Sequence, residues 1–497
     1  MRRIVVFLVG FLASASAQFG IFHRDHYFEP KHRLAGIGVD RKDMTDPVLA
    51  ERTRLLIDSQ TFGIMRDPRA LAGAARITSP ALEKIFEAAA KKSGEPASLI
   101  AAIAYLESWG DPKAESPAGP RGIMQFSKAT AQRAGLKITY ATRYRITTTK
   151  KKVKVDGKVV TKTVSQKTPY MVPLRDERLM PELAVPAAAM YLARMEEHFG
   201  GRDLAVFAYH CGEGCVADFI SLAASASGLG GGPVTVPRLF FAGNPARNRE
   251  LYEAIRLQMA RDYSPTYFFR VKRAEELLAM YKSDPAGFGA LVEDYKDRAD
   301  ATKRASNRLN VWLKPADVVY QSCEDLKRAE GKGLERPFDR PPFFGFQLRT
   351  TGPDAIGSWD LENKSAYLLA APSAVGTLTY IAFETRRMFD AMKPKNEKFV
   401  PLEVTSLVRH TLAPESGEDS DLPSHCTGQV FDIAYDFVPL HEKEALDFIL
   451  EDMGWGGYLG FIQASGGTMH IGSSPSSREF FAEVFREAAE ASKTVVE

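Results

Sequence analysis

The alternation of apolar and polar positions divides the chain into a helical stretch, a strand-like interruption and a mixed C-terminal region. Helical period becomes clear at Ser79-Pro80, a serine N-cap followed by proline at the first helical position. Leu82, Ile85 and Phe86 follow on one face, and Gly94 ends the element. A second helix starts near Pro96 and carries Leu99, Ile103 and Leu106 toward a core, with Glu107 at the edge of that face. A turn-rich loop with Gly110, Pro112, Pro117, Gly119 and Pro120 follows, and Ser127 can cap a short helix ending at Gly135. Between 143 and 167 the pattern is β-branched on both sides of Asp156-Gly157, the signature of a hairpin. Helices return in "PELAVPAAAMYLARMEEHFGG" and "DLAVFAYHCGEG", and again from about 248 to 278. Near the C-terminus a helix around 374–392 precedes strand-like "PLEVTSLVRH", "GQVFDIAY", "YLGFIQA" and "TMHIG".

These elements predict a multidomain chain. An N-terminal arm covers 18–76, and a mainly α domain covers 77–283 with a basic β-hairpin inserted at 143–167. A helical linker at 284–344 leads into an α+β domain over 345–497. Residues 1–17 have the form of a signal peptide: Arg2 and Arg3, an apolar run over 4–12, then Ala15-Ser16-Ala17. The run is too short to span a bilayer, and no later stretch is apolar enough. The expectation is export to the periplasm or the medium, with no transmembrane segment after signal cleavage.

Charge adds little except at one place. A net charge of +3 is too near balance to argue for nucleic acid, and no such partner is expected. Residues 143–167, however, hold nine Lys or Arg against one Asp. They form either a solvated hairpin or a clamp on an acidic polymer. Cys211, Cys215, Cys323 and Cys426 allow three full pairings in an oxidising compartment, and spacing does not choose among them.

Glu107 is where chemistry enters. A carboxyl at the end of an apolar helix, under a tight loop, costs free energy unless it is paired or neutral. Glu107-Ser108, "ESPAGPRGIMQ" and "AVFAYHCGEG" resemble the three ordered motifs of the SLT-domain lytic transglycosylases, relatives of goose-type lysozyme. "DERLMPE", "YLARM" and "SPTYFFRVKRA" fall in the same family order, so the resemblance covers 77–283. It implies a lysozyme-like fold that cleaves the β-1,4 bond between N-acetylmuramyl and N-acetylglucosaminyl units of peptidoglycan, leaving a 1,6-anhydro end without a cofactor. It makes Glu107 the acid and then the base. Ser108, Gly122, Met124, Gln125, Tyr209 and His210 would contact or orient substrate. Two positions depart from the family: His210 stands where Asn is usual, and Ala184 where Asn precedes the "YL" helix. His210, Cys211 and Cys215 can be imagined as metal ligands, and a local disulfide or free thiols is the rival. Two further functions compete: a protein that holds murein without cutting it, and a hydrolytic muramidase.

The C-terminal region carries a second constellation. His425 and Asp432 in "SHCTGQVFDI", with His470 in "TMHIG", are two imidazoles and a carboxylate, a set that can hold zinc and leave a position for water. The pattern resembles the D-alanyl-D-alanine carboxypeptidase-like zinc peptidases over about 345–475. The resemblance implies zinc on His425, Asp432 and His470, with Arg409 of "VTSLVRH" meeting a peptide-stem carboxylate or the scissile carbonyl. Those peptidases place a Glu or His two or three residues before the last histidine, where this chain has Gly467 and Thr468. The expectation is therefore slow or absent peptide cleavage, and the bland rival is a pair of ordinary strand histidines. Both halves point to the glycan strands and peptide stems of peptidoglycan.

Overall fold

A computed structural model describes residues 27–155, 158–225, 233–300, 318–338, 341–413, 425–464 and 466–494. The expected signal segment and the Asp156-Gly157 turn lie outside the described residues. The chain forms two compact units, one of Gly63–Ala217 with Tyr263–Glu293, the other of Met1–Phe62, Asp218–Asp262 and Asp294–Glu497.

The first unit is helical. Helix Pro80–Ser93 begins after Ser79 and stops at left-handed Gly94, φ 83°. Helix Ala97–Ser108 is apolar almost all round, and Leu99, Ile100, Ile103, Ala104 and Tyr105 are all at most 3% exposed. Such a helix is stable only inside a bundle. Pro80–Ser93 and Tyr267–Ser283 pack against it, while Pro181–Phe199 packs on Pro80–Ser93 and on Arg202–Cys211. The central helix ends where Trp109 turns left-handed (φ 54°), its ring edge-on to Tyr105 at 4.7 Å. Ser127 caps Lys128–Arg133 by accepting from the Thr130 N–H.

The hairpin is longer than the sequence pattern suggests. Strands β1 (Ile138–Val155) and β2 (Lys158–Asp176) pair antiparallel, with Val155 opposite Lys158. The expected bounds of 143–167 fall short because Pro169 and Pro173 argue against a strand interior. A ribbon of two strands leaves an unpaired edge along each, where proline costs no ladder bond.

The second unit is built around a five-stranded sheet in the order β3-β4-β5-β7-β6, with β3 Phe346–Leu348, β4 Leu402–Ser406, β5 Val430–Ile433, β6 Leu459–Ala464 and β7 Thr468–Ser473. β3 and β4 are parallel and the other pairs antiparallel. Helix Pro372–Met392 runs through the core, against Arg478–Thr494 and Leu440–Trp455. At Gly376 it approaches so closely that a Cβ would lie 1.8 Å from the Phe481 carbonyl oxygen.

Three expected boundaries do not match this division. Residues 27–62 are not an arm of the helical unit but part of the second unit, with helix Asp46–Ser59. Its hydrophobic period is weak because its buried side carries Arg52, 1% exposed and paired with fully buried Asp452, which Arg41 also meets at 2.6 Å. Asp218–Asp262, expected in the first domain, also groups with the second unit, and Leu239, Phe241, Leu251 and Tyr252 are buried there. The expected linker is partly core: Leu326 and Leu334 are wholly buried, beyond a capping box at Ser322 and Asp325.

Candidate functional site

Helix Ala97–Ser108 delivers Glu107 on its last turn, at the wall of a cavity of about 600 Å³ in the helical unit. The Glu107 side chain is 12% exposed. The Tyr267 hydroxyl donates to its Oε1 at 2.6 Å, and His210 Nδ1 lies 3.6 Å from the same oxygen. The imidazole stacks on Tyr267 at 4.4 Å and on Tyr263 at 4.7 Å, and the Arg270 guanidinium lies over the Tyr263 ring at 4.1 Å. Burial first, and then the Glu107 charge, push the Tyr267 phenol well above its ordinary range, so it stays an O–H donor. Burial does the same to Tyr209.

The loop after the helix forms another wall. Ser108 is buried, and its hydroxyl reaches the Ile123 carbonyl at 2.8 Å and the Ala104 carbonyl at 3.0 Å, pinning the loop to the helix end. Tyr209 donates to the Met124 carbonyl at 2.8 Å, and the Met124 side chain is wholly buried. Gln125 adopts φ 46°, and its amide N–H groups donate to Ala114 and Gly122 carbonyls at 3.2 and 3.0 Å. Gly122 (φ 78°) lies against the chain entering from the hairpin: a Cβ there would be 1.8 Å from the Arg178 carbonyl oxygen.

The expected site residues of this unit are thus brought together. Glu107, Ser108, Gln125, Tyr209 and His210 line the cavity, whereas Gly122 and Met124 support the loop from behind. Glu115 pairs with Arg121 through the guanidinium Nε at 3.0 Å. Cys211 and Cys215 form a disulfide (Cα–Cα 5.8 Å), which takes both sulfurs away from any metal reading with His210. Tyr263 and Tyr267 were given no role by sequence reasoning, although "SPTYFFRVKRA" contains both.

In the second unit, β5 and β7 pair with Asp432 directly opposite His470. His470 Nδ1 is 2.6 Å from Asp432 Oδ1 and 3.1 Å from His425 Nε2, and His425 Nε2 is 3.2 Å from Asp432 Oδ2. All three residues are buried. The other nitrogen of His425, Nδ1, meets the Leu407 carbonyl at 2.7 Å, the arrangement that orients a ligating imidazole. Burial holds the His425 imidazole below its ordinary pKa despite Asp432, favouring the neutral form that can ligate. The donor set, its convergence and this backing bond fit a zinc ion. The same three groups also satisfy one another by hydrogen bonds. Arg409 donates from Nε to Ser406 Oγ at 3.1 Å, its guanidinium lies 5.4 Å from the Trp359 ring, and its backbone N–H meets the His425 carbonyl. At Gly467, where a base is missing, a Cβ would lie 2.5 Å from Asp436 Oδ2, so a carboxylate from β5's following turn stands beside that position.

Residues 84–156 and 157–228 match the family model of the transglycosylase SLT domain. The chain is 36% identical over 131 residues to the peptidoglycan transglycosylase gp16 of Escherichia phage T7, 26% of this chain and 8% of that protein. It is 28% identical over 209 residues to membrane-bound lytic murein transglycosylase F 2 of Alkalilimnicola ehrlichii, 41% of this chain and 37% of that protein. Over 70 residues it is 44% identical to membrane-bound lytic murein transglycosylase F of Salmonella arizonae, 14% of this chain and 13% of that protein. The chain thus spans well under half the length of these relatives. Among the described residues, no helix is long and apolar enough to cross a membrane.

Proposed function

We propose that the helical unit is that of an exported peptidoglycan lytic transglycosylase, with Glu107 as its one acid and base. The carrying observation is a partly buried carboxyl held by a phenol O–H in a cavity lined mainly by residues of the matched region. In this reading Glu107 gives its proton to the glycosidic oxygen as the C1–O bond breaks, and the sugar's own N-acetyl oxygen closes on C1. Glu107, now a carboxylate, takes the proton of the muramyl 6-hydroxyl while that oxygen attacks C1 and displaces the N-acetyl group. A 1,6-anhydro end results, with no water consumed and no second carboxylate needed. Glu115, which also lines the cavity, is paired with Arg121, which leaves Glu107 as the candidate acid. Ser108, Gln125 and Tyr209 hold the loop that receives the sugar, and His210 faces it beside Glu107. Peptidoglycan strands are the expected substrate, and the signal-like residues 1–17 support export.

The test is mass spectrometry of products from purified murein. The native chain is expected to release 1,6-anhydro muropeptides, and Glu107→Gln to lower the rate by at least about two to four orders of magnitude while still binding murein. Reducing-end products would identify a hydrolytic muramidase, and no products at all a murein-holding protein.

A second reading is favoured by the convergence of His425, Asp432 and His470. These residues would hold zinc, with Leu407 orienting His425 and Arg409 placed near the cluster to meet a stem carboxylate. Zinc would supply a Lewis acid and a water of lowered pKa there. With Gly467 and Thr468 in place of the base, peptide cleavage is expected to be slow or absent. The full chain is expected to take up one zinc per molecule, and His425→Ala or His470→Ala to remove it. Absence of zinc after reconstitution, read by elemental analysis, overturns the metal site and leaves a hydrogen-bonded triad.

A further inference from the structure

The chemistry proposed for Glu107 makes no use of the β1–β2 hairpin. We propose that this hairpin is an arm that binds the acidic peptide stems of murein while the cleft acts on the glycan. The identity of the polymer rests on the transglycosylase reading; the presence of a polyanion-binding surface does not.

Charge is the first argument. Arg143, Arg145, Lys150, Lys152, Lys162 and Lys167 are all exposed, and none of them has a carboxylate partner among the described residues. Six cations on one ribbon repel one another unless an anion comes between them. The second argument is exposed apolar surface: Tyr144 is 54% exposed, Ile146 66%, Tyr170 44% and Met171 58%. Lys167 already sits over the Tyr144 ring at 4.3 Å, and Arg145 over Tyr170 at 5.6 Å, so cations and aromatic faces are interleaved. A two-stranded ribbon with neither face covered is marginal alone, and a ligand that covers it gains stability for both.

Its root fixes where the arm starts. Asp176 and Arg178, both buried, pair at 2.7 Å, and Arg178 Nη1 donates to the carbonyls of Phe126 (3.1 Å) and Gly119 (3.3 Å). Glu177 and Lys137 close the strand ends by a backbone bond of 3.1 Å and a carboxylate bond of 2.7 Å. The loop so held supplies Pro117, Pro120 and Gln125 to the cavity of Glu107. The arm therefore springs from the rim of the cleft, and about 18 residues of strand extend it by roughly 60 Å.

Distribution decides between a polymer and a lipid surface. Side chains alternate along a strand, so Arg143 and Arg145 project from one face and Lys150 and Lys152 from the other. An element that lies on a bilayer needs one apolar face opposite one charged face. Cations on both faces suit a branched polyanion that can reach round the ribbon, and in murein the stems supply such carboxylates.

The experiment uses the full chain carrying Glu107→Gln, so that binding is read without cleavage. Sedimentation with purified murein sacculi is compared for this chain and for the same chain with Arg143, Arg145, Lys150, Lys152 and Lys162 each changed to Gln. The charge-reduced arm is expected to bind at least about tenfold more weakly at ~0.05 M salt, with the difference gone by about 0.5 M. Sacculi stripped of stems by an amidase are expected to bind the unaltered arm as weakly. That comparison needs no substitution in the hairpin and so stands even if the hairpin variant folds poorly. Equal binding by both chains, or salt-sensitive binding that survives stem removal, overturns the proposal. So does salt-sensitive binding to phosphatidylglycerol vesicles in place of sacculi. Loss of anhydro products from the Glu107 chain, with salt-sensitive binding intact, would overturn the catalytic reading alone.

Discussion

Tyr267 carries more of the candidate active site than its place in the sequence suggests. Its O–H reaches Glu107 at 2.6 Å and its ring forms one side of the stack that holds His210. A hydrogen bond to a charged acceptor is worth about 1.5–3 kcal/mol, more than a neutral one. In the proposed cycle Glu107 is a carboxylate once it has given its proton, so there that bond matters most on the second half. Tyr267→Phe keeps the stacking and removes only the hydroxyl. Turnover is expected to fall roughly 10- to 100-fold with little change in KM, read from anhydro-muropeptide release. An unchanged kcat would show that Glu107 works without the phenol. The phenol was invisible in the helical pattern because its neighbour Glu107 is 160 residues away in sequence. Glu107 itself was legible, since the apolar face before it and the turn residues after it are local.

Elements show the same divide between local and distant causes. The helix ends at Gly94 and Trp109, the cap at Ser127 and four of the five C-terminal strands follow from residues within a few positions, whereas three-residue β3 is too short to show a period. The hairpin ends do not, because Pro169 and Pro173 read as strand breakers until the edge position of both strands is known. Helix Leu440–Trp455 gives an element-level prediction. Glu442 in its first turn is 1% exposed, and its carboxylate accepts only the Val400 N–H at 2.9 Å among the bonds described. Burial pushes its carboxyl up to about 7, with the Val400 N–H opposing weakly. A folded pKa above the unfolded value of 4.5 means stability that is full below about 4.5 and is lost as pH rises toward 7. The loss is on the order of 3 kcal/mol. The melting temperature of this chain is expected to fall between pH 5 and pH 7.5, and Glu442→Gln to lessen that slope. Part of the remainder belongs to Glu384 and Glu451, which burial also raises to about 7. A slope unchanged by the substitution would place the titration elsewhere.

For the whole molecule, periodicity and motif order established that a helical, Glu-bearing region precedes a mixed α+β region, because the signals of helix, cap, turn and strand are short-range. They also picked out His425, Asp432 and His470 as one set, and the pairing of β5 with β7 puts Asp432 opposite His470. Assignment of segments to units was beyond the sequence. Residues 27–62 and Asp218–Asp262 join the C-terminal unit because of contacts made hundreds of positions away, such as Arg41 and Arg52 on Asp452. An arginine on the buried side of a helix lowers its apolar period, and only the distant carboxylate explains it. Tertiary structure alone likewise chose the Cys211–Cys215 bridge among the pairings that spacing allows, and turned Gly122 toward the Arg178 backbone. Both depend on where the chain returns in space, and no local pattern of residues encodes that return.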